Sequence, residues 1–397
     1  MPTCEIVKNV YYVGVDDRKT RFFEGIWPIP NGISYNAYLI VDQKVALIEG
    51  GVKIDYARPF LNNISSVVDI SRIDYIVVNH MEPDHTGTLP ILYELAPDSK
   101  IVTTALGKKM LADFYGIDDP NRIIVVKDND KINLGGKEIQ FFTIPGVHWP
   151  ETMATYEISQ KILFSGDAFG TFGALGGKLF DDEIDLEFYL REGRRYFANI
   201  VGMYTGPVQN ALRKLGSLEI KIIAPSHGPI WRSNPEMIIN LYDKLSKYKS
   251  DDKVLIVYGT MYGFTEELAN YIARKLISEG IKVMVHNAVN VHPSFTLSEA
   301  WDSKVILFGL PTYDGGAFPP VYYTAYLISA KKLKNKIFGI FGSSGWSGRG
   351  YAKIVELLKS IGWKLVEPIV EIRGRCKKED LEKADELIKN VVDLIKH

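Results

Sequence analysis

Apolar and polar positions follow two different rhythms along this chain of 397 residues. Up to about residue 250, short apolar runs come in quick succession, among them SYNAYLIV, KVALIEG, KIVTTA, EIQFFTI and KILFSGD, broken by a few helical stretches. Such runs, bounded by turn-forming residues, predict strands in an α+β arrangement. PEMIINLYDKLSKY predicts a closing helix, and the polar KSDDK behind it reads as a linker. From Lys253 onward the rhythm becomes a strict alternation. KVLIVY, KVMVHNA, KVILFGL, KIFGIFG and WKLVEPIV are almost wholly apolar, and amphipathic stretches such as TEELANYIARKLISEG and DLEKADELIKNVVDLIK separate them. Strands apolar on both faces, alternating with helices, predict a parallel sheet covered on both sides. Because one core rarely serves more than ~250 to 300 residues, two domains are expected, 1–250 and 251–397.

Composition narrows the partners. With 46% hydrophobic residues, 24% charged residues and a formal net charge of -1, the chain is an ordinary globular one without a basic field. Nucleic acid and anionic membrane are therefore not expected to bind. No apolar run approaches the ~18 residues of a membrane span, and MPTCEIVKNV has no signal-like apolar core, which points to the cytoplasm. Cys4 and Cys376 are the only cysteines and form no CxxC pair, so any metal must be held by His, Asp and Glu.

The seven histidines sort by position. His286 inside a strand pattern, His292 before a proline and His397 at the end read as surface or core-edge imidazoles. The other four stand where strands give way to loops: His80 and His85 in NHMEPDHTG, His148 in IPGVHWPET and His227 in IIAPSHGPI. Asp167 follows KILFSG in the same way. Imidazoles and carboxylates are expensive to bury unpaired, and a metal is their common partner. On an extended segment, side chains two apart point the same way, so His80, Glu82 and Asp84 are expected to form one row with His85 offset. That geometry suits two adjacent metals. Alone, HMEPDH is also compatible with surface decoration or a helix cap; His148, Asp167 and His227 downstream argue for the metals.

Three loops in the second half fall at the carboxyl ends of predicted strands: YGTMYGFTEEL, GLPTYDGGAFPP and GSSGWSGRG. Ligands of doubly wound sheets lie there. The first loop can aim N–H groups and Thr hydroxyls at a phosphate, with the helix N-terminus adding a favourable dipole, or can serve as a helix-capping turn without ligand. It lacks the lysine of a nucleotide-hydrolysing loop and the spacing of a dinucleotide fold, so a monophosphate is favoured. Tyr313 and Trp346 are placed to cover a flat ring, or to serve as loop packing.

The series HxExDH, a loop His, an SGD-type Asp and a PSHG-type His resembles the metallo-β-lactamase fold, whose hydrolases usually carry HxHxDH and zinc. Glu82 stands where they have the second His. Four imidazoles and three carboxylates make a harder, more anionic shell that favours iron. Joined to a flavodoxin-like half, the pattern resembles flavodiiron proteins over about residues 5–395. This implies an αββα sandwich followed by a flavodoxin-like doubly wound sheet. It implies His80, Glu82 and His148 on one iron, Asp84, His85 and His227 on the other, and Asp167 bridging. By the same resemblance Thr260, Met261, Tyr262, Gly263, Phe264 and Thr265 hold the phosphate of FMN. Pro311, Thr312, Tyr313, Asp314, Gly315, Gly316 and Ala317 flank its ring on one side, and Ser344, Gly345, Trp346, Ser347 and Gly348 on the other. Tyr262, where flavodoxins usually have Thr, bears on a single phosphate contact. Tyr196 in RRYFANI matches a tyrosine that the family places near the irons, and equally fits a core position.

The implied activity is reduction of dioxygen to water, of nitric oxide to nitrous oxide, or of both. The implied assembly is a head-to-tail homodimer or a tetramer, supplied with electrons by a separate rubredoxin or reduced deazaflavin coenzyme. Two readings of other classes stay open: a dizinc hydrolase with a flavodoxin-like appendage, and a non-catalytic flavin electron carrier or redox sensor.

Overall fold

The structure is a computed structural model that describes residues 3–396; His397 lies outside the described residues. The chain divides into two compact units. One holds the described residues up to Phe197 together with Tyr204–Asp243, and the other holds Ala198–Met203 and the residues from Lys244 onward.

The short apolar runs of the first unit build two sheets. One has the strand order Cys4–Val7, Val10–Tyr12, Tyr38–Val41, Val45–Ile48, Ile73–Val77, Lys100–Thr103, Ile123–Val125. Its pairs are antiparallel as far as Val45–Ile48 and parallel beyond. The other runs Lys131–Asn133, Glu138–Thr143, Met153–Glu157, Ile162–Phe164, Ile222–Ala224. Alternate side chains of both sheets meet in one core, with Tyr38, Ile48 and Val77 from the first facing Phe141, Met153 and Phe164 from the second. Helices Ala57–Ser65 and Ala105–Tyr115 connect strands of the first sheet, and Leu186–Tyr196 and Thr205–Leu215 lie between the last two strands of the second. The result is the αββα sandwich. Where strands Ile73–Val77 and Met153–Glu157 begin or end, the Met153 N–H donates across to the Asn79 carbonyl at 2.8 Å and ties the two sheets together.

The second unit has parallel strands in the order Lys282–Asn287, Asp251–Tyr258, Ser303–Tyr313, Ile337–Ser344, then Lys364–Leu365 and Val370–Arg373. Counted along the chain this is the order 2-1-3-4-5 of the flavodoxin-like sheet, whose direction of winding reverses between the first and third strands. Close strand packing leaves no room at Gly309, where a Cβ would stand 2.2 Å from the Phe341 ring. Two details differ from the sequence reading. Only Lys249 and Ser250 of KSDDK lie outside the elements, because Asp251 already opens a strand. Ion pairs hold it there: Lys244 with Asp251 at 2.7 Å, and Lys253 with Glu299 at 2.7 Å and Asp302 at 2.9 Å. WKLVEPIV forms two short strands rather than one, interrupted at Pro368, which has no N–H to give a ladder. No helix among the described residues is long and apolar enough to cross a membrane.

Candidate functional site

The seven predicted metal-ligating residues meet at one end of the sandwich, each on a segment that leaves a strand. Behind Ile73–Val77 the chain is fixed at Asn79, whose amide donates to Glu49 Oε1 at 2.5 Å while Thr155 Oγ1 donates to its carbonyl oxygen at 2.8 Å. Glu151 accepts the Met81 N–H at 2.7 Å and so holds the peptide between His80 and Glu82. Pro83 then opens a helical turn, Pro83–Thr86, being suited to a first helical position by its fixed φ. The extended row of His80, Glu82 and Asp84 expected from the sequence is therefore broken: the turn swings Asp84 and His85 away toward His227. At the far strand, the Gly228 N–H donates to Ser34 Oγ at 2.8 Å with φ +80°, and a Cβ there would lie 2.1 Å from Thr171 Oγ1. The Ser34 carbonyl faces His227 Nδ1 at 2.7 Å, which orients the ring with Nε2 toward the cluster.

Two sets of donor atoms result, His80, Glu82, His148 and Asp167 in one, Asp84, His85 and His227 in the other, each within 4.8 Å. Asp167, a member of the first, also faces the second. Its Oδ2 lies 3.0 Å from His148 Nε2 and 3.5 Å from His80 Nε2; its Oδ1 lies 3.2 Å from His85 Nε2 and 3.5 Å from His227 Nε2. Glu82 Oε2 faces His148 at 2.9 Å, and Asp84 Oδ2 stands 3.4 Å from both His85 and His227.

Burial and mutual charge act against each other here. Burial pushes the carboxyls up and the imidazoles down, yet the neighbouring imidazoles hold Asp167 well below the carboxylate range and Glu82 at about 2. Against the same desolvation, hydrogen bonds to Asp167 and Glu82 raise His148 to about 10, and Asp167 above all raises His80 and His227. Carboxylates kept ionised beside imidazoles that can exchange a proton for a metal ion make a site for cations. The cage also leaves polar atoms stranded: His80 Nε2, both Asp84 oxygens and Asp167 Oδ1 are buried without a hydrogen-bond partner. Each such atom costs about 1–3 kcal/mol, and coordination to metal would relieve that cost. The mixed imidazole and carboxylate set fits iron.

Around the cluster, Phe23 and Tyr35 present ring edges to His227 at 5.5 and 5.7 Å between centroids. Tyr196, fully buried at the end of its helix, packs its ring 5.7 Å from His227. Its hydroxyl lacks a close partner, and burial together with the Asp167 charge pushes its pKa well up. Beside Glu82 and Asp84 opens a cavity of about 630 Å³.

In the second unit the three Gly-rich loops enclose a cleft of about 260 Å³. Thr260, Met261, Tyr262 and Phe264 line it, as do Pro311, Thr312, Tyr313, Asp314 and Gly315, and Ser344, Gly345, Trp346 and Ser347. Five predicted residues do not. Gly263 caps helix Phe264–Ser278 with φ +90°, and Thr265 is buried with its hydroxyl 2.8 Å from Ser343 Oγ. Gly316 and Ala317 pair back onto Thr312 and Tyr313, and Gly348 lies under the Glu371 carboxylate. Ser343 and Gly374 also line the cleft and escape the sequence reading, because one lies within the strand Ile337–Ser344 and the other follows a strand whose loop carries no hydroxyl signal. The donors of a helix N-terminus suit a phosphate. Trp346 and Tyr313, 85% and 44% exposed and both on its lining, are flat partners for an aromatic ring, so the cleft fits FMN.

A cage for two metals on one unit and a flavin cleft on the other define a class of redox enzyme. A family model described as ODP family beta lactamase matches residues 33–228, and a flavodoxin model matches residues 256–386. A nitric oxide reductase of Moorella thermoacetica is 32% identical, with 96% of each chain covered. The rubredoxin oxygen:oxidoreductase structure from Desulfovibrio gigas has a TM-score of 0.95 at 32% identity, covering 99% of this chain and 98% of that one. The flavodiiron protein structure from Giardia intestinalis has a TM-score of 0.94 at 28% identity, covering 100% and 98%. The chain belongs to the flavodiiron protein family. It is an oxidoreductase, and its family implies FMN and a diiron site.

Proposed function

We propose that this protein reduces dioxygen to water, nitric oxide to nitrous oxide, or both, in the cytoplasm, with electrons passed from an external donor through FMN to two irons. The observation that carries the reading is Asp167, whose two oxygens each face a different set of imidazoles. A bridging carboxylate of this kind serves two ions at the ~3.5–4 Å spacing that clamps a small substrate between them. His80, Glu82 and His148 would hold one ion, Asp84, His85 and His227 the other. When bound, the irons supply the electron-rich centre at which the gas is reduced. The chain's own residues position it: the aromatic edges of Phe23 and Tyr35 keep the pocket dry, and the buried Tyr196 hydroxyl, without a partner, is available to donate a hydrogen bond toward the Asp167 side.

FMN and irons would communicate between two copies arranged head to tail, in a dimer or a tetramer of dimers, and the donor would be rubredoxin or a reduced deazaflavin coenzyme. Metal and flavin analysis combined with a gas electrode tests the reading. Two irons and one FMN per chain, with donor-dependent consumption of dioxygen or nitric oxide, are expected. Zinc with ester hydrolysis, or flavin reduction without gas consumption, would overturn it.

A further inference from the structure

The loop that carries Trp346 leaves the strand Ile337–Ser344 and runs exposed through Gly345, Trp346 and Ser347. Such a segment costs ordering entropy when it closes on a ligand, unless it is already fixed in the free protein. Here the fixing comes from the last strand of the sheet, Val370–Arg373, which pairs in parallel with Ile337–Ser344. Val370 and Ile372 are buried in the core of the unit, so the alternation of a strand turns Glu371 and Arg373 together to the opposite face. From there the Arg373 guanidinium donates to the Trp346 carbonyl at 2.5 Å, and Glu371 Oε1 accepts the Arg349 N–H at 2.8 Å. The Gly374 N–H adds a third tie, to the Ser344 carbonyl at 3.1 Å. Glu371 also reaches the second loop: its Oε1 faces the Thr312 hydroxyl at 3.5 Å, and Thr312 Oγ1 in turn accepts the Gly350 N–H at 3.1 Å. Both loops that flank the cleft thus converge on one carboxylate. The backbone is cut to fit it, since a Cβ at Gly348 would stand 2.7 Å from Glu371 Oε2, and one at Gly350 would stand 2.4 Å from the Gly316 carbonyl oxygen. Glu371 and Arg373 themselves stand behind the lining of the cleft, not on it.

We propose that Glu371 and Arg373 are positioning residues for the flavin ring. They form a clasp from the last strand that sets the spacing of the two ring-flanking loops and presents Trp346 before the ligand arrives. The clasp rests on the reading of this cleft as the FMN site. Its ties run to the second and third loops and to none of the residues from Thr260 to Thr265, so it acts on the ring and not on the phosphate.

The test compares flavin-free full-length wild type with Glu371→Ala, Glu371→Gln, Arg373→Met and Trp346→Ala. Glutamine keeps an oxygen that accepts the Arg349 N–H, and methionine keeps an apolar stem without the guanidinium donors. Dissociation constants for FMN and for riboflavin, which lacks the phosphate, are measured by calorimetry, and visible circular dichroism of the bound flavin reports the asymmetry of its surroundings. Glu371→Ala is expected to weaken both flavins by the same factor, on the order of tenfold, the scale of one lost hydrogen bond to a charged group. Glu371→Gln is expected to recover most of that loss. Arg373→Met is expected to weaken both flavins severalfold and to change the visible dichroism in the same sense as Trp346→Ala. Wild-type affinity in Glu371→Ala and Arg373→Met, while Trp346→Ala binds more weakly, would overturn the clasp alone. A loss confined to FMN, or Glu371→Gln as weak as Glu371→Ala, would also overturn it. Wild-type affinity and dichroism in Trp346→Ala would overturn the reading of the cleft, and the clasp with it.

Discussion

Asp167 is the residue on which both halves of the metal cage converge, and its loss should be felt on both sides. Asp167→Asn keeps the shape but removes the charge that lifts His80 and His227. Metal analysis of the purified variant is expected to find well under one iron per chain, while Asp84→Asn, whose oxygens face only His85 and His227, is expected to keep about one. Two irons retained in Asp167→Asn would refute the bridge. Gly228→Ala should act by geometry: the added methyl collides with Thr171 Oγ1 and displaces the adjoining His227, an overpacking effect of about 1–3 kcal/mol. A lowered unfolding midpoint together with lost iron is expected, against no change if the loop yields freely.

Lys336 makes a different residue-scale statement. Its ammonium is buried and donates to the Trp301 and Ser303 carbonyls at 2.6 and 2.8 Å. Burial, which Lys244 and Lys253 reinforce and Asp302 opposes, pushes its pKa down to about 7. An unfolded lysine titrates near ~10.4, so between these values the unfolded chain binds a proton that the folded chain does not. The contribution to stability is therefore fully present above ~10.4 and is lost as pH falls through about 7. Denaturation of wild type and Lys336→Met at pH 7 and pH 10 should show wild type gaining on the variant at the higher pH by on the order of a few kcal/mol. An equal difference at both values would refute this.

At the scale of elements, the parts of the sequence that state their own geometry were legible. Apolar strands followed by amphipathic helices fix a parallel sheet because each strand must be covered on both faces, and the loops at their carboxyl ends mark the cleft. What the pattern cannot state is a local change of backbone course. NHMEPDHTG reads as extended by alternation, yet Pro83 starts a helical turn, and that turn sends Asp84 and His85 to one group and leaves His80 and Glu82 in the other. The supporting residues were also hidden. Glu49 and Glu151 lie in runs that read as strand or loop, and only the fold brings them to Asn79 and Met81. Thr312 and Glu371 sit 59 positions apart, with no spacing to link them. Glycine within a strand is a readable clue to close packing: Gly309→Ala would drive a methyl into the Phe341 ring. A loss of about 1–3 kcal/mol is expected in denaturant unfolding, with FMN affinity lowered as well, and an unchanged midpoint would refute it.

At the scale of the whole molecule, the proposed electron path between copies has a direct assay. A variant lacking the metal cage, His227→Ala, is mixed and reassembled with one whose cleft no longer takes FMN. Each alone is expected to be inactive. If electrons cross from one copy to the other, the mixture should recover roughly a quarter of wild-type gas consumption, because about half the dimers are mixed and each has one complete pair of sites. No recovery would place the path within a single chain.

The 85% exposure of Trp346 has a practical consequence. An indole left in water at the lip of its cleft emits at long wavelength, and a flavin stacked on it quenches that emission and shifts it. The protein thus carries its own optical gauge, by which successive additions of FMN to cofactor-stripped protein report loading directly, independently of iron and of any gas.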